Sequence, residues 1–288
     1  MSRAALVLLA LLSALALFYI ARWFVIERAR AGVASRRPGL INTLTGFVAN
    51  FFDTLGVGSF APTTSVFKLF KLVPDEKIPG TLNTGHALPT VAQALIFIAA
   101  VSVDSLTLIT LIAAAVLGAF IGSGIVSKLP RRAIQVGMGV ALLAAALLFV
   151  LGNVGAIPAG GDATALRGPI LYAAIAGNFV LGALMTLGVG LYAPCLIMVS
   201  LMGMNPIAAF PIMMGSCAFL MPVAGLRFIA AGSYDARAAI GLALGGVPGV
   251  LIAAFIVKQL PLATLRWLVV VVVLYAAVAM LRAAARTR

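Results

Sequence analysis

The stretch Thr54-Leu55-Gly56-Val57-Gly58-Ser59-Phe60-Ala61-Pro62 is nearly repeated 132 positions later, as Thr186-Leu187-Gly188-Val189-Gly190-Leu191-Tyr192-Ala193-Pro194. Each copy interrupts a long apolar segment with two glycines and a proline, which are the residues that most often break a helix. Matching interruptions in two halves of an apolar chain predict a duplicated membrane protein, broken at equivalent places.

The composition supports a membrane protein. Hydrophobic residues make up 63% of the 288 residues and charged residues only 9%, which leaves too few polar side chains to cover a soluble domain. The apolar windows are about 20 residues long, which favours membrane-spanning helices over the short alternating strands of an outer-membrane barrel. We therefore predict an all-α polytopic membrane protein.

Charge and cysteine content exclude several functions. The net charge of +13 lies mainly in short loops between apolar runs, where it orients a membrane chain, so we expect no nucleic-acid partner. The only cysteines, Cys195 and Cys217, lie inside apolar segments and indicate neither a disulfide framework nor a zinc site. Because the sequence offers no catalytic set, metal cluster or phosphate loop, we expect no enzyme activity and no cofactor.

The duplication extends beyond the two nonapeptides. Pro74 and Pro79 match Pro206 and Pro211 at the same offset, and after a one-residue slip Leu129-Pro130 matches Leu260-Pro261. Each half holds a broken segment followed by three spans, near 40–73, 79–101, 105–127 and 132–152, then near 170–204, 207–230, 236–257 and 263–283. We divide the chain into an N-terminal helix with a basic loop, repeat 1, a linker and repeat 2, at 1–37, 38–151, 152–169 and 170–288.

Basic residues in the short loops predict the orientation of the chain. Residues 22–37 carry five arginines, and lysines and arginines also follow the first broken segment and the third span, so we assign these loops to the cytoplasm. All three loops can lie on the same side only if segment 40–73 enters the membrane and returns, as a re-entrant hairpin or two half-length helices. Three further crossings then make the second half inverted, with Arg282, Arg286 and Arg288 at a cytoplasmic C-terminus. This orientation places Lys258 and Arg266 on the outer side of the membrane, against the pattern of the other basic residues.

The N-terminal apolar run admits two interpretations. Residues 4–20 follow Arg3 as in a signal peptide, yet the run continues to Ile26 and lacks a clear small-x-small cleavage site. We favour a retained first helix over cleavage of residues 1–21.

The two breaks are the first candidate site. A turn in mid-membrane exposes helix ends, and the unpaired amides of a helix N-terminus attract anions. Glycines let the backbone approach a ligand, and hydroxyls follow the first turn, so the candidate residues are Gly56, Gly58, Ser59, Thr63, Gly188 and Gly190. The alternative is that these glycines only let the helices pack closely.

The start of the next span in each half is the second candidate surface. Asn83 and Thr84 align with Gly215 and Ser216, and Cys217 follows. These small and hydroxylated side chains would face the hairpin tips and donate hydrogen bonds to a tetrahedral oxoanion. The alternative is that the hydroxyls bond back to the carbonyls of their own helix.

Asp53 and His86 form a candidate proton site. Asp53 is the one acidic residue clearly inside an apolar segment, His86 is the only histidine, and neither is repeated in the second half. Ionisable groups within a membrane are costly and indicate function, and histidine changes charge near neutral pH. The alternative is structural, with Asp53 capping the broken helix and His86 making one hydrogen bond.

The glycine-rich stretch of each half, the small-hydroxyl stretch of the next span and the basic loop after the third span resemble the TauE/SafE family of sulfite exporters, also called toluene-sulfonate uptake permeases. The resemblance covers about residues 38–285. It implies transport of sulfite, sulfoacetate or another organosulfonate across a bacterial inner membrane.

We therefore expect an inverted-repeat carrier that works by alternating access, with a channel or a non-transport membrane scaffold as the alternatives. Its expected partners are a small sulfur oxoanion or organosulfonate and membrane lipid. Protons are a candidate coupling ion and a homodimer is a candidate assembly. The direction of transport stays open.

Overall fold

The computed structural model describes residues 3–30, 38–56, 58–156, 161–188, 190–256 and 262–286. The secondary structure in these ranges is helical, with one isolated bridge between Ala163 and Met204 and no strand. Six of the described helices are long and apolar enough to cross a membrane. The prediction of an all-α membrane protein is confirmed.

Twelve α-helices follow one another in the described ranges. In the first half they are α1 (Arg3–Ala29), α2 (Leu40–Thr54), α3 (Phe60–Phe70), α4 (Ile78–Gly85), α5 (Ala87–Ala100), α6 (Ser105–Val126) and α7 (Arg131–Asn153). In the second half they are α8 (Gly168–Met185), α9 (Tyr192–Leu201), α10 (Pro206–Ala231), α11 (Ala236–Ile256) and α12 (Leu262–Arg286). A short 3-10 helix, Asp75–Lys77, precedes α4.

The two predicted broken segments are pairs of helices. α2 and α3 take the place of segment 40–73, and α8 and α9 that of segment 170–204. At 1.5 Å per residue, the 11 residues of α3 and the 10 residues of α9 extend about 15 Å, half the thickness of a bilayer core. Neither helix can cross a membrane alone.

The span predicted near 79–101 is bent rather than continuous. It forms α4 and α5, which meet at His86. Pro89 has no N–H to donate to the carbonyl of Gly85, one turn earlier, and this accounts for the bend. The equivalent helix of the second half, α10, runs through Pro211 and Pro222 and lies at the centre of the bundle.

Loop contacts define two ends of the bundle. At one, the linker end, residues 101–104, 161–167 and 202–205 meet: Asp104 N–H donates to the Thr164 carbonyl, and Gly161 N–H to that of Met204. At the other, the basic end, lie residues 71–77, 127–131 and 231–235. Here Ser233 Oγ donates to the Ser127 carbonyl, and Asp235 N–H to Thr81 Oγ1. Helix α1 joins the two ends, from Ala5 beside Val103 to Arg30 beside Ala230.

Each broken segment starts and finishes at the same end. Gly39, before α2, lies beside the guanidinium of Arg237 at the basic end, and α3 returns there, where Lys68 pairs with Asp75 at 2.7 Å. α8 begins after Arg167 at the linker end, and α9 returns there, where Met204 N–H bonds the Val199 carbonyl. Each segment is therefore a hairpin, and the two hairpins approach from opposite ends.

Equivalent helices exchange partners between the halves. α2 packs on α11 and α8 packs on α6, while α3 contacts α12 and α9 contacts α7. Glycines allow the closest of these contacts. A Cβ at Gly46 would overlap the backbone of Leu242 in α11, and one at Gly182 would overlap the backbone of Ala115 in α6. Neither half can complete its packing without the other.

Candidate functional site

The first break is a turn in which glycine is needed. Gly56 and Gly58 have φ angles of 87° and 89°, a region that side-chain-bearing residues rarely adopt. No described atom lies within 4 Å of a Cβ built on Gly58. Helix packing therefore does not account for this glycine, because the backbone conformation itself requires it. Val57 lies outside the described residues.

The second break repeats part of this arrangement. Gly188 has a φ of 97°, and its N–H bonds the Met185 carbonyl at the end of α8. Gly190, like Gly58, has no described atom within 4 Å of an added Cβ, and Val189 lies outside the described residues. The helix that follows each break has proline as its third residue, Pro62 in α3 and Pro194 in α9.

A buried network of polar side chains joins the two breaks. Gln93 of α5 is fully buried, and its Nε2 donates to Asp53 Oδ2 at 2.9 Å and to Thr54 Oγ1 at 3.1 Å at the end of α2. Its Oε1 accepts a hydrogen bond of 2.5 Å from the hydroxyl of Tyr192, the first residue of α9. Gln93 therefore connects the end of α2, in the first hairpin, to the start of α9, in the second hairpin.

Asp53 also faces the start of α3. Ser59, immediately before α3, hydrogen-bonds the Asp53 carboxylate through both its hydroxyl and its backbone. The alternative in which Asp53 caps the broken helix is thus present in the geometry. The same contacts put a carboxylate at the helix N-terminus that was expected to hold an anion.

His86 lies at the bend between α4 and α5, fully buried. Its Nδ1 contacts the side-chain amide of Asn50 at 2.9 Å and 3.1 Å, and its Nε2 contacts Thr63 Oγ1 at 3.1 Å. Both ring nitrogens are engaged, by α2 on one side and α3 on the other. His86 therefore fixes both helices of the first hairpin relative to the bend. It contacts two side chains, whereas the structural alternative gave it one hydrogen bond.

Asn83 and Thr84 reach the second break and the first helix. Asn83 Nδ2 donates to the Met185 carbonyl at 3.3 Å, and the Thr84 carbonyl accepts from Tyr19 of α1 at 3.0 Å. Three buried side-chain oxygens have no hydrogen-bond partner among the described atoms. They are Asn83 Oδ1, Thr84 Oγ1 and, in α3, Thr64 Oγ1. Buried polar atoms of this kind are uncommon and call for an explanation, such as a bound polar group.

Ser216 and Cys217 occupy different surroundings. Ser216 Oγ accepts from Asn178 Nδ2 of α8 at 3.0 Å, and that nitrogen also donates to the Leu111 carbonyl of α6. Ser216 therefore belongs to the contact between α10, α8 and α6 and not to the network of Gln93. Cys217 lies 3.5 Å from the sulfur of Met185, at the second break.

Several buried polar residues of the bundle interior were missed in the sequence. Asn50, Gln93 and Asn178 are uncharged amides inside apolar segments, and none is repeated in the other half, so neither charge nor repetition marks them. Tyr192 stands in the repeated nonapeptide, where Phe60 is its counterpart, so its hydroxyl was the one visible signal of a polar contact.

The charge balance of the bundle interior is negative. Asp53 is 2% exposed, whereas none of the lysines and arginines whose side chains the structure describes is buried. The partial positive charges of the helix N-termini at Phe60 and Tyr192 are the main source of positive potential there. In the described ranges, no group of three or more metal-binding side chains occurs.

Two ion pairs hold the ends of the bundle. At the linker end, Arg167 forms a bidentate contact with Asp104, both bonds 2.7 Å long, and these hydrogen bonds lower the pKa of Asp104. At the basic end, burial alone would raise the pKa of Asp75, but hydrogen bonds from Lys68 and Gln135 and the charge of Arg131 lower it. Both carboxylates are therefore stabilised in the ionised form.

Comparisons with protein-family models, with curated proteins and with solved structures each returned no match.

Proposed function

We propose that the chain is a secondary transporter that carries a small sulfur-containing anion by alternating access through the region between its two breaks. The observation that carries this proposal is the buried network in which Gln93 joins Asp53 of one hairpin to Tyr192 of the other. A scaffold protein would have no need of polar groups linked across the two breaks, because buried amides and carboxylates cost free energy wherever they are incompletely paired.

We propose further that the two halves form an inverted repeat. Two relationships support it: the hairpins approach from opposite ends of the bundle, and equivalent helices exchange partners between the halves. In transporters of this kind the site lies where broken helices of the two repeats meet near the bilayer midplane. The two repeats would then rock against each other about the network.

The unpaired polar atoms near the breaks support the proposed chemistry of the substrate. The hydroxyls of Thr64 and Thr84 can donate hydrogen bonds to oxoanion oxygens, as can the first amides of α9. Asn83 Oδ1, an amide oxygen, can only accept, and the amide nitrogen of Asn83 already donates to the carbonyls of Pro79 and Met185. A substrate with anionic oxygens and one hydrogen-bond donor, such as hydrogensulfite or a hydroxylated or aminated sulfonate, meets both demands.

Asp53 is proposed as the proton site of the cycle. An anion that binds beside an ionised Asp53 would add a second negative charge to an interior in which no described lysine or arginine side chain is buried, and this is strongly unfavourable. Protonation of Asp53 removes that repulsion and makes the loaded state less negative. It also bears on direction, because an inside-negative potential of 100 mV opposes anion uptake by about 2.3 kcal/mol per charge.

The experiment that tests the proposal measures flux in proteoliposomes loaded with sulfite, sulfoacetate, taurine, thiosulfate or sulfate. We expect saturable uptake and counter-exchange for one class of these anions, and a raised thermal stability of the purified protein with the same anion. Flux that rises without saturation would indicate a channel. Absence of both flux and stabilisation in folded protein would overturn the proposal in favour of a scaffold.

The resemblance to the TauE/SafE family suggests the substrate class and the bacterial inner membrane as the location. It stays a prediction, as does the cytoplasmic side of the C-terminus. The direct support for transport is the arrangement of the two breaks, and the panel of anions in the flux experiment tests the substrate class independently.

A further inference from the structure

A basic groove lies at the basic end of the bundle, away from the Gln93 network. It consists of two adjoining cavities of about 510 Å³ and 370 Å³, which share Arg131 and Ala283 in their walls. The larger runs between α7 and α12, and the smaller reaches the end of α3. Its cationic residues are Lys68, Lys71, Arg131, Arg282 and Arg286.

Only part of this positive charge is neutralised by the protein. Asp75 Oδ1 bonds Lys68 at 2.7 Å, and its Oδ2 bonds Gln135 at 2.7 Å and lies 3.6 Å from Arg131. Glu76 also lies 3.6 Å from Arg131. Within the described ranges, Lys71, Arg282 and Arg286 make no ion pair or side-chain hydrogen bond. The groove therefore holds an excess of three positive charges.

The groove is apolar at its other extremity. Along α12 the wall passes from Arg286 and Arg282 to Ala279, Val278 and Tyr275. At 1.5 Å per residue, Tyr275 lies about 10 Å deeper in the bundle than Arg282. Val278 is 41% exposed and Tyr275 47% exposed, so this apolar wall is open to the lipid. Arg282 and Arg286 lie at the outer end of this exposed apolar wall, where long cationic side chains near a helix end reach the head groups.

We propose that this groove binds an anionic phospholipid. The phosphodiester lies among Lys71, Arg131, Arg282 and Arg286, and an acyl chain lies along α12 beside Val278 and Tyr275. The charge excess selects an anionic head group over a zwitterionic one, and the continuous apolar wall selects a lipid over a free anion. Basic pockets between membrane helices on the cytoplasmic side bind anionic head groups in this way. The inference does not depend on the transport proposal.

The test uses the full-length protein, purified and stripped of lipid. Binding of phosphatidylglycerol is measured by native mass spectrometry and thermal stabilisation, against phosphatidylcholine with the same acyl chains and against inorganic phosphate. The variant Arg282→Gln/Arg286→Gln removes two exposed charges from the groove. The control Arg28→Gln/Arg132→Gln removes two exposed charges from the same end of the bundle but outside the groove walls.

We expect phosphatidylglycerol to bind more tightly than phosphatidylcholine, and the groove variant to lose about 30-fold in affinity, as two lipid-facing arginines contribute. The control variant should bind like the unmodified protein. Equal binding of both lipids, or equal loss in both variants, would overturn the proposal. Stabilisation by inorganic phosphate as strong as that by phosphatidylglycerol would also overturn it, since the groove would then serve a free anion.

Discussion

Gln93 donates a hydrogen bond of 2.9 Å from its amide nitrogen to the carboxylate of Asp53, 40 residues earlier in the chain. Its amide oxygen is simultaneously bonded to Tyr192, in the other half. One neutral side chain thus spans both breaks, and any movement of one hairpin relative to the other must stretch or exchange one of these bonds. The network is both a structural link and a candidate point of coupling.

Replacement of Gln93 by methionine tests this link. Gln93→Met keeps the shape of the side chain but removes the Gln93 donor to Asp53 Oδ2 and the Gln93 acceptor of the Tyr192 hydroxyl, while Ser59 still bonds Asp53. We expect the free energy of unfolding to fall by about 1–3 kcal/mol for each hydrogen bond lost, and transport to be lost. Leu95→Met, on the same helix, is the control. Equal thermal stability and flux in both variants would contradict the role of Gln93.

Asp53→Asn tests the proton site. Asparagine can still accept hydrogen bonds from Gln93 and Ser59, so the fold should persist, but the side chain can no longer gain or lose a proton. We expect transport by Asp53→Asn to become independent of pH, while His86→Gln, which removes the other ionisable group, reports separately on His86. Flux is measured across a pH series in proteoliposomes. Full pH dependence in both variants would remove protons from the mechanism.

A pair of glycine substitutions separates backbone strain from the function of the first break. Gly58→Ala and Gly155→Ala each add a Cβ that meets no described atom within 4 Å, and each glycine has a positive φ, 89° and 71°. Both should lower the free energy of unfolding by about 1–2 kcal/mol. Only Gly58→Ala should also reduce flux, because Gly155 lies after α7 and is not part of either break. Equal flux in the two variants would argue against a functional turn at Gly58.

The ion pair at the linker end predicts a loss of stability in acid. Arg167 lowers the pKa of Asp104 in the folded state, so the pair contributes stability at pH values above about 4, the ordinary value for aspartate. That contribution is lost as the pH falls through the lowered pKa. We expect the difference in Tm between the unmodified protein and Asp104→Asn to shrink on acidification. Asp162→Asn, at the same end, serves as the control. A difference that grows in acid would contradict this assignment.

Cysteine labelling tests the arrangement of the two ends. The native cysteines, Cys195 and Cys217, are buried and should label slowly. Ser102→Cys and Thr164→Cys, both exposed at the linker end, should label from one side of the membrane, and Lys128→Cys from the other. Labelling of Ser102→Cys and Lys128→Cys from the same side would show that the hairpins do not approach from opposite sides of the bilayer.

Much of the helical layout could be predicted from the sequence, because long apolar runs and paired glycines are local signals. The breaks at Gly56–Gly58 and Gly188–Gly190 follow directly from the duplicated nonapeptide. The bend at His86 was missed, although Pro89 supplies its cause, since a single proline often sits within a membrane helix without dividing it. Local patterns therefore located the helices better than their bends.

The contacts of the candidate site were harder to predict. Nothing near Gln93 in the chain indicates that its two ends meet Asp53 and Tyr192, because those contacts depend on how the halves interlock. Ser216 shows the converse: it aligns with Thr84 in the repeat, yet it bonds Asn178, which has glycine as its counterpart. Symmetry in sequence did not carry over to symmetry in hydrogen bonding, since the polar residues differ between the halves.

The exchange of partners between the halves also constrains biosynthesis. Trp23 of α1 donates to Tyr234, which is 211 residues further along the chain, and α2 must wait for α11 in the same way. At a synthesis rate of about 5–20 residues per second, roughly 10 to 40 seconds separate the emergence of α1 from that of its partner. During this interval the buried amides and glycine faces of the first half meet lipid or a chaperone instead of protein. Insertion factors that shield polar helices should therefore matter most for the first half of this chain.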